Sequence, residues 1–495
     1  MRPLRIASIS AEVDPFSKTG GLGDVARSLP KSLHRLGQDI IIITPFYKQV
    51  IDAEKFQLKK IYHNVALHID KENDVSVSYY RGELMPGLPV YFISADRYFG
   101  RKKELYGSAW ENSRFYVFDV AALKLLSLLK FSADIIHCHD WHTGLIPELL
   151  QKKFKRSKTL ANSATVFTAH NLAFQLGHNW WEIAGKLRDN GRTALPAFHQ
   201  TEKIERLNFA KRAILYADAI NTVSETYAEE ILKPNFGQDL HHILRNRQHK
   251  LYGVVNGIDY NLFNPAKDPL IKYNYSSTSI EKKKLNKKAL QKEFSLPTID
   301  VPLIVMASRI AEQKGFDILL PILPTIAVRD AQFVIIGDGD KNYRKTLEQL
   351  EKDFPASFRY RPFSQTENIE TKLYAAGDIV LLPSHFEPCG TTQLKGLRYG
   401  SVPVVREIGG LGETVSNYDP ETNPDGIGFV FKSYSSESLL FTLARALETY
   451  KHAKIWQELV IRGMRSSFSW DLPAKKYLRL YRLAMKFKRE GKAND

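Results

Sequence analysis

Short apolar runs alternate with helix-like patterns along the first half of the chain. The runs are rich in β-branched residues, lack polar alternation and occupy residues 4–10, 39–44, 133–137, 165–169 and 218–223. Such runs are typical of strands that helices bury on both faces of a parallel sheet. Residues 24–36, after the first run, carry apolar positions at helical spacing. The pattern predicts an α/β fold for this half.

The second half repeats the arrangement. Its apolar runs occupy residues 303–307, 332–336, 378–382 and 402–405, with helical patterns between them. Turn-forming residues cluster over residues 252–265, so we expect two α/β units joined there. Ligands of such sheets lie beyond the carboxyl ends of the strands, which makes a cleft between the units the expected site.

Two further helices are predicted. Residues 115–131 form the most apolar long stretch but contain Asp119, Lys124 and Lys130. A membrane span needs about 20 mostly apolar residues, so this stretch predicts a buried amphipathic helix. Residues from 473 onward predict a C-terminal helix with tyrosines at four-residue spacing, for which a plain surface helix is the simplest interpretation.

Composition excludes several classes of protein. Of the 495 residues, 43% are hydrophobic and 25% are charged, which is typical of a soluble globular protein. The two cysteines, far apart in sequence, exclude a disulfide framework and favour a reducing, cytoplasmic setting. The N-terminus lacks the apolar core of a signal peptide, so none is expected.

The chain is strongly basic, with 70 Lys and Arg against 54 Asp and Glu and a net charge of +16. A basic surface can attract nucleic acid, anionic membranes or anionic small molecules. The basic residues are mostly scattered, and the dense run at residues 281–288 carries no nucleic-acid motif. A lysine-rich solvated exterior is therefore the preferred interpretation, with neither nucleic acid nor membrane as a specific partner.

Glycine and histidine motifs follow the strands of the first half. Residues 18–24 read KTGGLGD, in which glycine N–H groups and Lys18 could approach an anion at a helix start. Residues 137–142 read HCHDWH, which invites a zinc interpretation but lacks an HExxH spacing and further obvious ligands. We favour polar groups lining a cleft, with Asp140 or His142 facing a polar substrate. Residues 168–171 end another strand in the same style, and a structural role for each histidine stays open.

The second half carries cationic and glycine-rich loops. Arg309 and Lys314 follow a strand and could reach one anion, although a solvated loop with an ion pair to Glu312 is the alternative. Residues 387–393 open a helix whose N–H groups could meet a diphosphate while Glu387 binds sugar hydroxyls. Residues 409–414 repeat the glycine-loop theme. No GxSxG or Walker A motif occurs, so a nucleotide-sugar site is favoured over phosphoryl transfer.

These strings together resemble the bacterial glycogen synthase and plant starch synthase family. The motifs run in the family's order from the first strand to the final FSW at 468–470, and they are KTGGLGDV (18–25), HCHDWHTGL (137–145), TAHNLAFQ (168–175), YADAINTVSETYAEEI (216–231), NGIDYNLFNP (256–265), SRIAEQKGFD (308–317), PSHFEPCGTTQLKGLRYG (383–400) and GGLGETV (409–415).

The resemblance implies a retaining glycosyltransferase of the GT-B fold, with two Rossmann-like domains facing across a cleft. The implied domains are residues 1–255 on the acceptor side, residues 256–472 on the donor side, and a helix at 473–495 returning to the first. The implied reaction extends an α-1,4-glucan at its non-reducing end with glucose from ADP-glucose. It uses no metal and no cofactor, and the departing phosphate itself accepts the acceptor's proton on the same face. The oligomeric state is left open.

The resemblance also implies residue roles. Lys18, Arg309 and Lys314 would contact phosphates, Glu387 would bind the transferred glucose, and the His170 backbone carbonyl would face the anomeric carbon. The implied catalytic set is Glu387, His170, Lys18 and Asp140. The implied donor-binding set is Lys18, Gly21, Asn256, Arg309, Lys314, Cys389, Gly390, Thr391, Thr392 and Phe363, the last stacking near the adenine. The implied sugar and acceptor set is Asp24, Tyr106 and Asn171.

The chain departs from the family pattern at several positions. Lys395 stands where related enzymes often carry a second acidic residue, which leaves catalysis to Glu387 alone. Phe263 replaces a frequent tryptophan, and Cys138 replaces a small residue. Residues 177–204 match the pattern poorly, and this bears on acceptor binding and chain-length preference.

Two alternative functions remain from the sequence. One keeps the fold but uses UDP-glucose or a different acceptor, because the choice of donor base rests on few residues. The other is a glucan- or nucleotide-binding homologue without catalysis, which the presence of Lys18, Arg309, Lys314 and Glu387 disfavours.

Overall fold

Two α/β units make up the chain in the computed structural model, which describes residues 2–101, 103–176, 180–327, 331–365 and 369–493. The first unit contains residues 1–256 and 470–495, and the second contains residues 257–469. The boundaries placed after residues 255 and 472 from the sequence lie beside these.

The first unit is built on a nine-stranded sheet in the order β3-β4-β5-β2-β1-β6-β7-β8-β9. Strands β3, β4 and β5 pair antiparallel, and the other neighbours pair parallel. Nearly every residue of β1, β2, β6 and β7 is buried, as their apolar runs predict. The strands are β1 Arg5–Ile9, β2 Asp39–Pro45, β3 Lys59–His68, β4 Asp74–Met85, β5 Leu88–Ser94, β6 Ile135–His139, β7 Ala164–Ala169, β8 Ala219–Thr222 and β9 Leu251–Gly253.

Nine helices connect these strands in the described residues: α1 Gly21–Arg35, α2 Asp96–Phe99, α3 Glu111–Leu128, α4 Ile146–Lys152, α5 Thr201–Glu205, α6 Phe209–Tyr216, α7 Glu225–Glu230, α8 Pro234–Gly237 and α9 His241–Asn246. The predicted amphipathic helix is α3, but it is buried on nearly all sides, so its amphipathic character was wrong. Its Asp119 is fully buried, and the hydrogen bond that the carboxylate accepts from the Leu145 N–H at 2.9 Å offsets part of the cost of burying it. No helix of the described ranges is long and apolar enough to cross a membrane.

The second unit has a six-stranded, wholly parallel sheet in the order β12-β11-β10-β13-β14-β15. Its strands are β10 Leu303–Ala307, β11 Gln332–Ile336, β12 Phe358–Arg361, β13 Ile379–Leu382, β14 Val402–Arg406 and β15 Phe429–Phe431. Its helices are α10 Lys283–Glu293, α11 Phe316–Leu319, α12 Leu323–Ala327, α13 Lys341–Asp353, α14 Ile369–Ala376, α15 Thr392–Arg398, α16 Gly409–Thr414, α17 Ser436–Lys451 and α18 Ala453–Arg465.

Both sheets reverse their direction of growth at one strand. In the first unit the chain places β2 beside β1, goes to the sheet edge with β3, comes back through β4 to β5 beside β2, and then crosses to the other side of β1 with β6. In the second unit it adds β11 and β12 on one side of β10 and then β13 on the other. This is the Rossmann strand order, and its switch point lies between β1 and β6 and between β10 and β13. The loops after those four strands are therefore where each unit is built to hold a ligand.

The C-terminal helix, α19 Asp471–Ala493, belongs to the first unit. It packs against β7, β8 and α1, and its Tyr477 and Tyr481 are fully buried. Tyr481 hydrogen-bonds to the His137 ring at 2.9 Å, and the Asn221 side chain donates to the Tyr477 hydroxyl at 3.0 Å. The tyrosines at four-residue spacing are thus the buried face, and a plain surface helix was the wrong interpretation.

The lysine-rich run at residues 281–288 is not wholly solvated either. The Lys283 ammonium donates to the carbonyls of Tyr374, Ala375 and Tyr399 at 2.9–3.0 Å, and burial lowers its pKa to about 7. Lys287 is also buried and pairs with Asp378 at 2.6 Å. Because a buried ammonium needs such partners, these two lysines fix α10 against α14 and against the residues after α15 and before β13.

Candidate functional site

Glu12 organises the loop after β1. Its carboxylate accepts the backbone N–H of Thr19, the Thr19 hydroxyl at 3.1 Å and the Tyr106 hydroxyl at 3.1 Å. Burial raises the pKa of this carboxyl, although the Thr19 and Tyr106 hydrogen bonds oppose the rise. Glu12 therefore ties the predicted glycine loop to the predicted acceptor residue Tyr106, whose ring also stacks on His142 at 4.8 Å.

Lys18 and the glycines lie at the start of α1. The exposed Lys18 ammonium pairs with Asp24 at 2.6 Å, so two predicted site residues meet here. A side chain at Gly23 would press on the Lys18 stem at 3.2 Å, but one at Gly20 or Gly21 would meet nothing within 4 Å. The packing of the protein therefore does not require glycine at Gly20 or Gly21. Their open surroundings suit the predicted approach of an anion to the helix N-terminus.

Asp140, directly after β6, is strained and buried. Its backbone has φ 59° and ψ 172°, a region almost confined to glycine, which costs a non-glycine residue about 1–3 kcal/mol. Its carboxylate accepts the His170 backbone N–H at 2.8 Å and the Gln175 amide at 2.7 Å. Burial raises its pKa from 3.8 to about 7 despite these donors. Asp140 thus fixes the backbone at His170, the residue that follows β7.

Four histidine rings that end or follow β6 and β7 are neutral, namely those of His137, His139, His142 and His170. Burial lowers the pKa of His137, His142 and His170 to about 3 and that of His139 well below its usual value. The His139 ring hydrogen-bonds to His170 at 3.0 Å and to Ser8 at 3.3 Å, and His137 hydrogen-bonds to Thr168 at 2.7 Å. In the described ranges, no group of three or more His, Cys, Asp or Glu side chains is placed to hold a metal ion. This network accounts for His137, His139 and His170, whereas the His142 ring packs against the rings of Tyr106 and Phe115.

Two more residues named from the sequence, Asn171 and Asn256, belong to the first unit. Asn171 caps a short turn by accepting the Ala173 N–H at 3.1 Å, which is a local structural role. Asn256 is buried at the last position before the second unit. Their predicted contacts with sugar stay predictions.

Lys314 and Glu387 form a largely buried ion pair in the second unit. Their side chains are 20% and 12% exposed, and the Glu387 carboxylate also accepts the Ser384 hydroxyl at 3.3 Å. The pair joins the loop after β10 to the loop after β13, on either side of the switch point. Gly315 makes this junction possible, because it has φ +79° and a Cβ there would lie 2.0 Å from the Pro383 carbonyl oxygen.

Arg309 is exposed on the same loop as Lys314. Its guanidinium donates to the Gln313 side chain at 2.7 Å. Gln313 in turn accepts the His385 N–H through its backbone carbonyl at 2.9 Å. The loop that carries Arg309 is therefore hydrogen-bonded to the loop that carries Glu387.

The glycine loop at residues 409–412 supports Glu387 from behind. A Cβ at Gly409, where φ is +45°, would lie 2.0 Å from the Glu387 carbonyl oxygen, and one at Gly410 would lie 2.3 Å from that of Cys389. The Gly410 N–H donates to the Pro388 carbonyl at 3.2 Å. These glycines allow close approach of two backbones.

Four of the remaining donor-side residues, Cys389 to Thr392, lie at the start of α15, and Phe363 follows β12. Cys389 is buried, Gly390 has φ +68°, and the buried Gln393 amide donates to the carbonyls of both at 3.2 and 3.0 Å. Thr391 and Thr392 follow at the helix start, partly exposed. Phe363 is partly exposed and donates its backbone N–H to Asp338 at 3.0 Å. Their donor-binding roles stay predictions.

The two departures Lys395 and Phe263 contact each other. The Lys395 ammonium lies 4.7 Å from the Phe263 ring centroid and 3.8 Å from the Glu370 carboxylate. Lys395 is only 11% exposed, so it is a packed structural cation.

Sequence reasoning missed several residues that organise the site, namely Glu12, Gln175, Ser384 and Gln393. Glu12 and Ser384 each lie within three residues of the end of a switch-point strand, a position that could have flagged them. Gln175 and Gln393 act through hydrogen bonds to residues that only the fold brings near them, and no sequence motif indicates these contacts.

Replacement of Gly409 by alanine tests the support of Glu387. We expect Gly409→Ala to lower the free energy of unfolding by about 2 kcal/mol or more, because of the positive φ and the contact with the Glu387 carbonyl. Gly412→Ala is the matched control, since its φ is not positive and its Cβ would meet the flexible Glu407 side chain at 3.2 Å and the Glu407 backbone no closer than 3.5 Å. Urea unfolding of both variants measures the difference, and equal stabilities would contradict this packing.

The raised pKa of Asp140 predicts a pH dependence of stability. Between pH 3.8 and about 7 the native state holds a proton that the unfolded state has lost, so unfolding becomes easier as the pH rises. We expect this part of the decline, on the order of 3 kcal/mol, to be missing from Asp140→Asn, which cannot ionise. Urea unfolding of both proteins at pH 5, 6, 7 and 8 measures it, and parallel curves would show that Asp140 is ionised throughout.

Comparisons with known proteins agree with this architecture. Residues 5–246 match the family model described as "Starch synthase catalytic domain", and residues 288–460 match "Glycosyl transferases group 1". A glycogen synthase of Pseudothermotoga lettingae is 39% identical over 496 residues, covering 98% of this chain and 100% of that protein. A glycogen synthase of Anoxybacillus flavithermus is 38% identical, covering 97% of each chain.

Solved structures give the same result. The catalytic domain of starch synthase IV from Arabidopsis thaliana, bound to ADP and acarbose, is 31% identical with a TM-score of 0.86 and covers 98% of this chain and 100% of that one. A sucrose-phosphate synthase from Thermosynechococcus elongatus is 18% identical with a TM-score of 0.59, covers 97% of this chain and 98% of that one, and shows the fold alone. The chain therefore belongs to the glycogen synthase and starch synthase family of glycosyltransferases and has the GT-B fold.

Proposed function

We propose that this enzyme transfers glucose from ADP-glucose to the non-reducing end of an α-1,4-glucan, with retention at the anomeric carbon. The observation that carries the proposal is the match to glycogen synthases along nearly the whole chain at 39% identity. The similarity to a starch synthase structure bound to ADP supports an adenosine diphosphate as the leaving group.

The second unit is proposed to bind the nucleotide-sugar. Arg309 and Lys314 lie on the loop after β10, where the switch point favours a ligand, and both are donors suited to a diphosphate. Glu387 pairs with Lys314, which holds the ammonium in place and leaves carboxylate oxygen for sugar hydroxyls. We propose that these cations, and no metal ion, stabilise the departing diphosphate.

The chemical step is proposed to take place on one face of the glucose. The bond between the anomeric carbon and the phosphate oxygen breaks, the acceptor hydroxyl oxygen bonds to that carbon, and the departing phosphate takes the hydroxyl proton. A covalent route would need a carboxylate close to the anomeric carbon. Glu12 and Asp140, the buried carboxyls in the loops after β1 and β6, are each held by hydrogen bonds within the protein, which supports the single-face route.

The first unit is proposed to bind the glucan and to present the His170 backbone to the reacting glucose. Asp140 fixes that backbone through the His170 N–H, and the neighbouring rings are neutral. An uncharged, hydrogen-bonding surface suits a polyol, whereas fixed charges would have to be desolvated against it.

A donor panel tests the proposed substrate. With glycogen as acceptor, we expect kcat/KM for ADP-glucose to exceed that for UDP-glucose by at least about tenfold, because pocket groups that hydrogen-bond one base are left unpaired by the other. Release of ADP or UDP is measured with a coupled enzyme assay, with EDTA present and absent. No release without glycogen and no effect of EDTA are the expected controls. Equal use of both donors would contradict the ADP-glucose assignment.

Removal of the Glu387 carboxylate tests its role with the donor. We expect Glu387→Ala to lower kcat by about 10²–10³-fold, because the glucose loses its partner and Lys314 loses its anchor. Glu407→Ala is the matched control, since this carboxylate is 47% exposed and pairs only at 3.7 Å with the exposed Lys432. Initial rates with saturating ADP-glucose and glycogen give kcat. A Glu387→Ala rate within twofold of wild type would remove Glu387 from the mechanism.

A further inference from the structure

Two consecutive tryptophans in the first unit have opposite exposures. Trp180 is 2% exposed, whereas Trp181 is 60% exposed. They begin residues 180–188, which we call the aromatic arm. None of the roles assigned above involves the arm.

Several contacts fix the aromatic arm. The Trp180 indole N–H donates to Asp239 at 3.1 Å, and the Lys211 ammonium lies 4.8 Å from the Trp180 ring centroid. The Arg188 guanidinium lies near both indoles, 5.3 Å from Trp180 and 5.4 Å from Trp181. Arg188 also donates to the Ile183 carbonyl at 3.0 Å, which closes the arm on itself. Trp181 is therefore exposed but held.

The base of the arm is anchored in the core. Asp189, the next residue, receives two hydrogen bonds from the fully buried Arg212, at 2.7 and 2.8 Å. Arg212 also donates to Glu148 at 2.8 Å. Buried ion pairs are weak sources of stability because both charges must leave water, and they act best by fixing one geometry. Here the geometry that they fix is that of a segment presenting an exposed indole.

The arm lies downstream of β7, the strand whose carboxyl end carries His170. Phe174, between His170 and the arm, is a second exposed aromatic residue, at 55%. A held, exposed indole flanked by a guanidinium offers a flat apolar surface next to hydrogen-bond donors. Pyranose rings present the complementary surface, because their C–H faces are apolar and their hydroxyls lie around the edge. Holding the ring in advance reduces the entropy lost on binding.

We propose that Trp181 is a stacking platform for α-glucan, which holds a polymeric acceptor on the first unit. The choice of glucan as the occupant rests on the proposed function, whereas the platform itself rests on the exposure and fixation of Trp181. Arg188 serves as a positioning residue that holds the indole and offers donors to sugar hydroxyls.

Glycogen affinity electrophoresis and kinetics of Trp181→Ala, Trp181→Phe and Phe441→Ala test the proposal. Phe441 is the control, because it is 73% exposed on α17 of the second unit. We expect Trp181→Ala to weaken retention by glycogen and raise KM for glycogen by about tenfold, the scale of one lost aromatic contact. The kcat and the KM for ADP-glucose should stay within twofold, and Trp181→Phe should restore most of the affinity.

The outcomes separate this proposal from the proposed function. Unchanged glycogen retention and KM in Trp181→Ala, or an equal loss in Phe441→Ala, would overturn the platform. A change of mass in light scattering without a change in glycogen retention would make Trp181 a protein interface and would also overturn it. If the wild-type protein released no nucleotide with any donor, the proposed function would fail, and the electrophoresis would still decide whether Trp181 binds glucan.

Discussion

The reversal of strand order in each sheet is the constraint on which the placement of Glu12, Asp140, Lys314 and Glu387 depends. Because helices leave β1 and β6, or β10 and β13, toward opposite faces of the sheet, the loops after these neighbouring strands separate and leave room at the carboxyl edge. Glu12 and Asp140 follow the first two strands, and Lys314 and Glu387 follow the second two. Each unit thus builds its site from two loops that are distant in sequence but adjacent across one pair of strands.

Close approach of backbones then fixes the loops of the second unit. Gly315 brings the Lys314 loop against the carbonyl of Pro383, and Gly409 brings a third loop against the carbonyl of Glu387. No other residue type leaves this room without moving one of the strands. The ion pair between Lys314 and Glu387 is therefore a consequence of backbone packing, and its charges are placed before any ligand arrives.

The sequence predicted the buried strands well because a short, continuous run of apolar residues is typical of a strand that is covered on both faces. All nine predicted strands are present with ends within two residues, but six others were missed. The edge strand β3 is mostly exposed, its neighbour β4 mixes buried and exposed positions, and β9, β12 and β15 are only three or four residues long. The buried strand β5 was missed as well. Motif spacing found Lys314 and Glu387 but not their ion pair. The buried carboxyl of Glu12 was missed entirely, since its partners Thr19 and Tyr106 are brought to it only by folding.

The candidate loops of the two units differ in their charge. The second unit presents Arg309 and Lys314 beside a carboxylate, which suits a ligand that carries full negative charge. In the first unit, the loops after β6 and β7 hold His170 uncharged and the pKa of Asp140 raised to about 7, whereas Lys18 with Asp24 and Arg27 with Asp14 form ion pairs beside the loop after β1. A diphosphate and a polyol make opposite demands on a protein surface. Placing these surfaces on separate units allows each to meet one demand without the desolvation penalty that the other would impose.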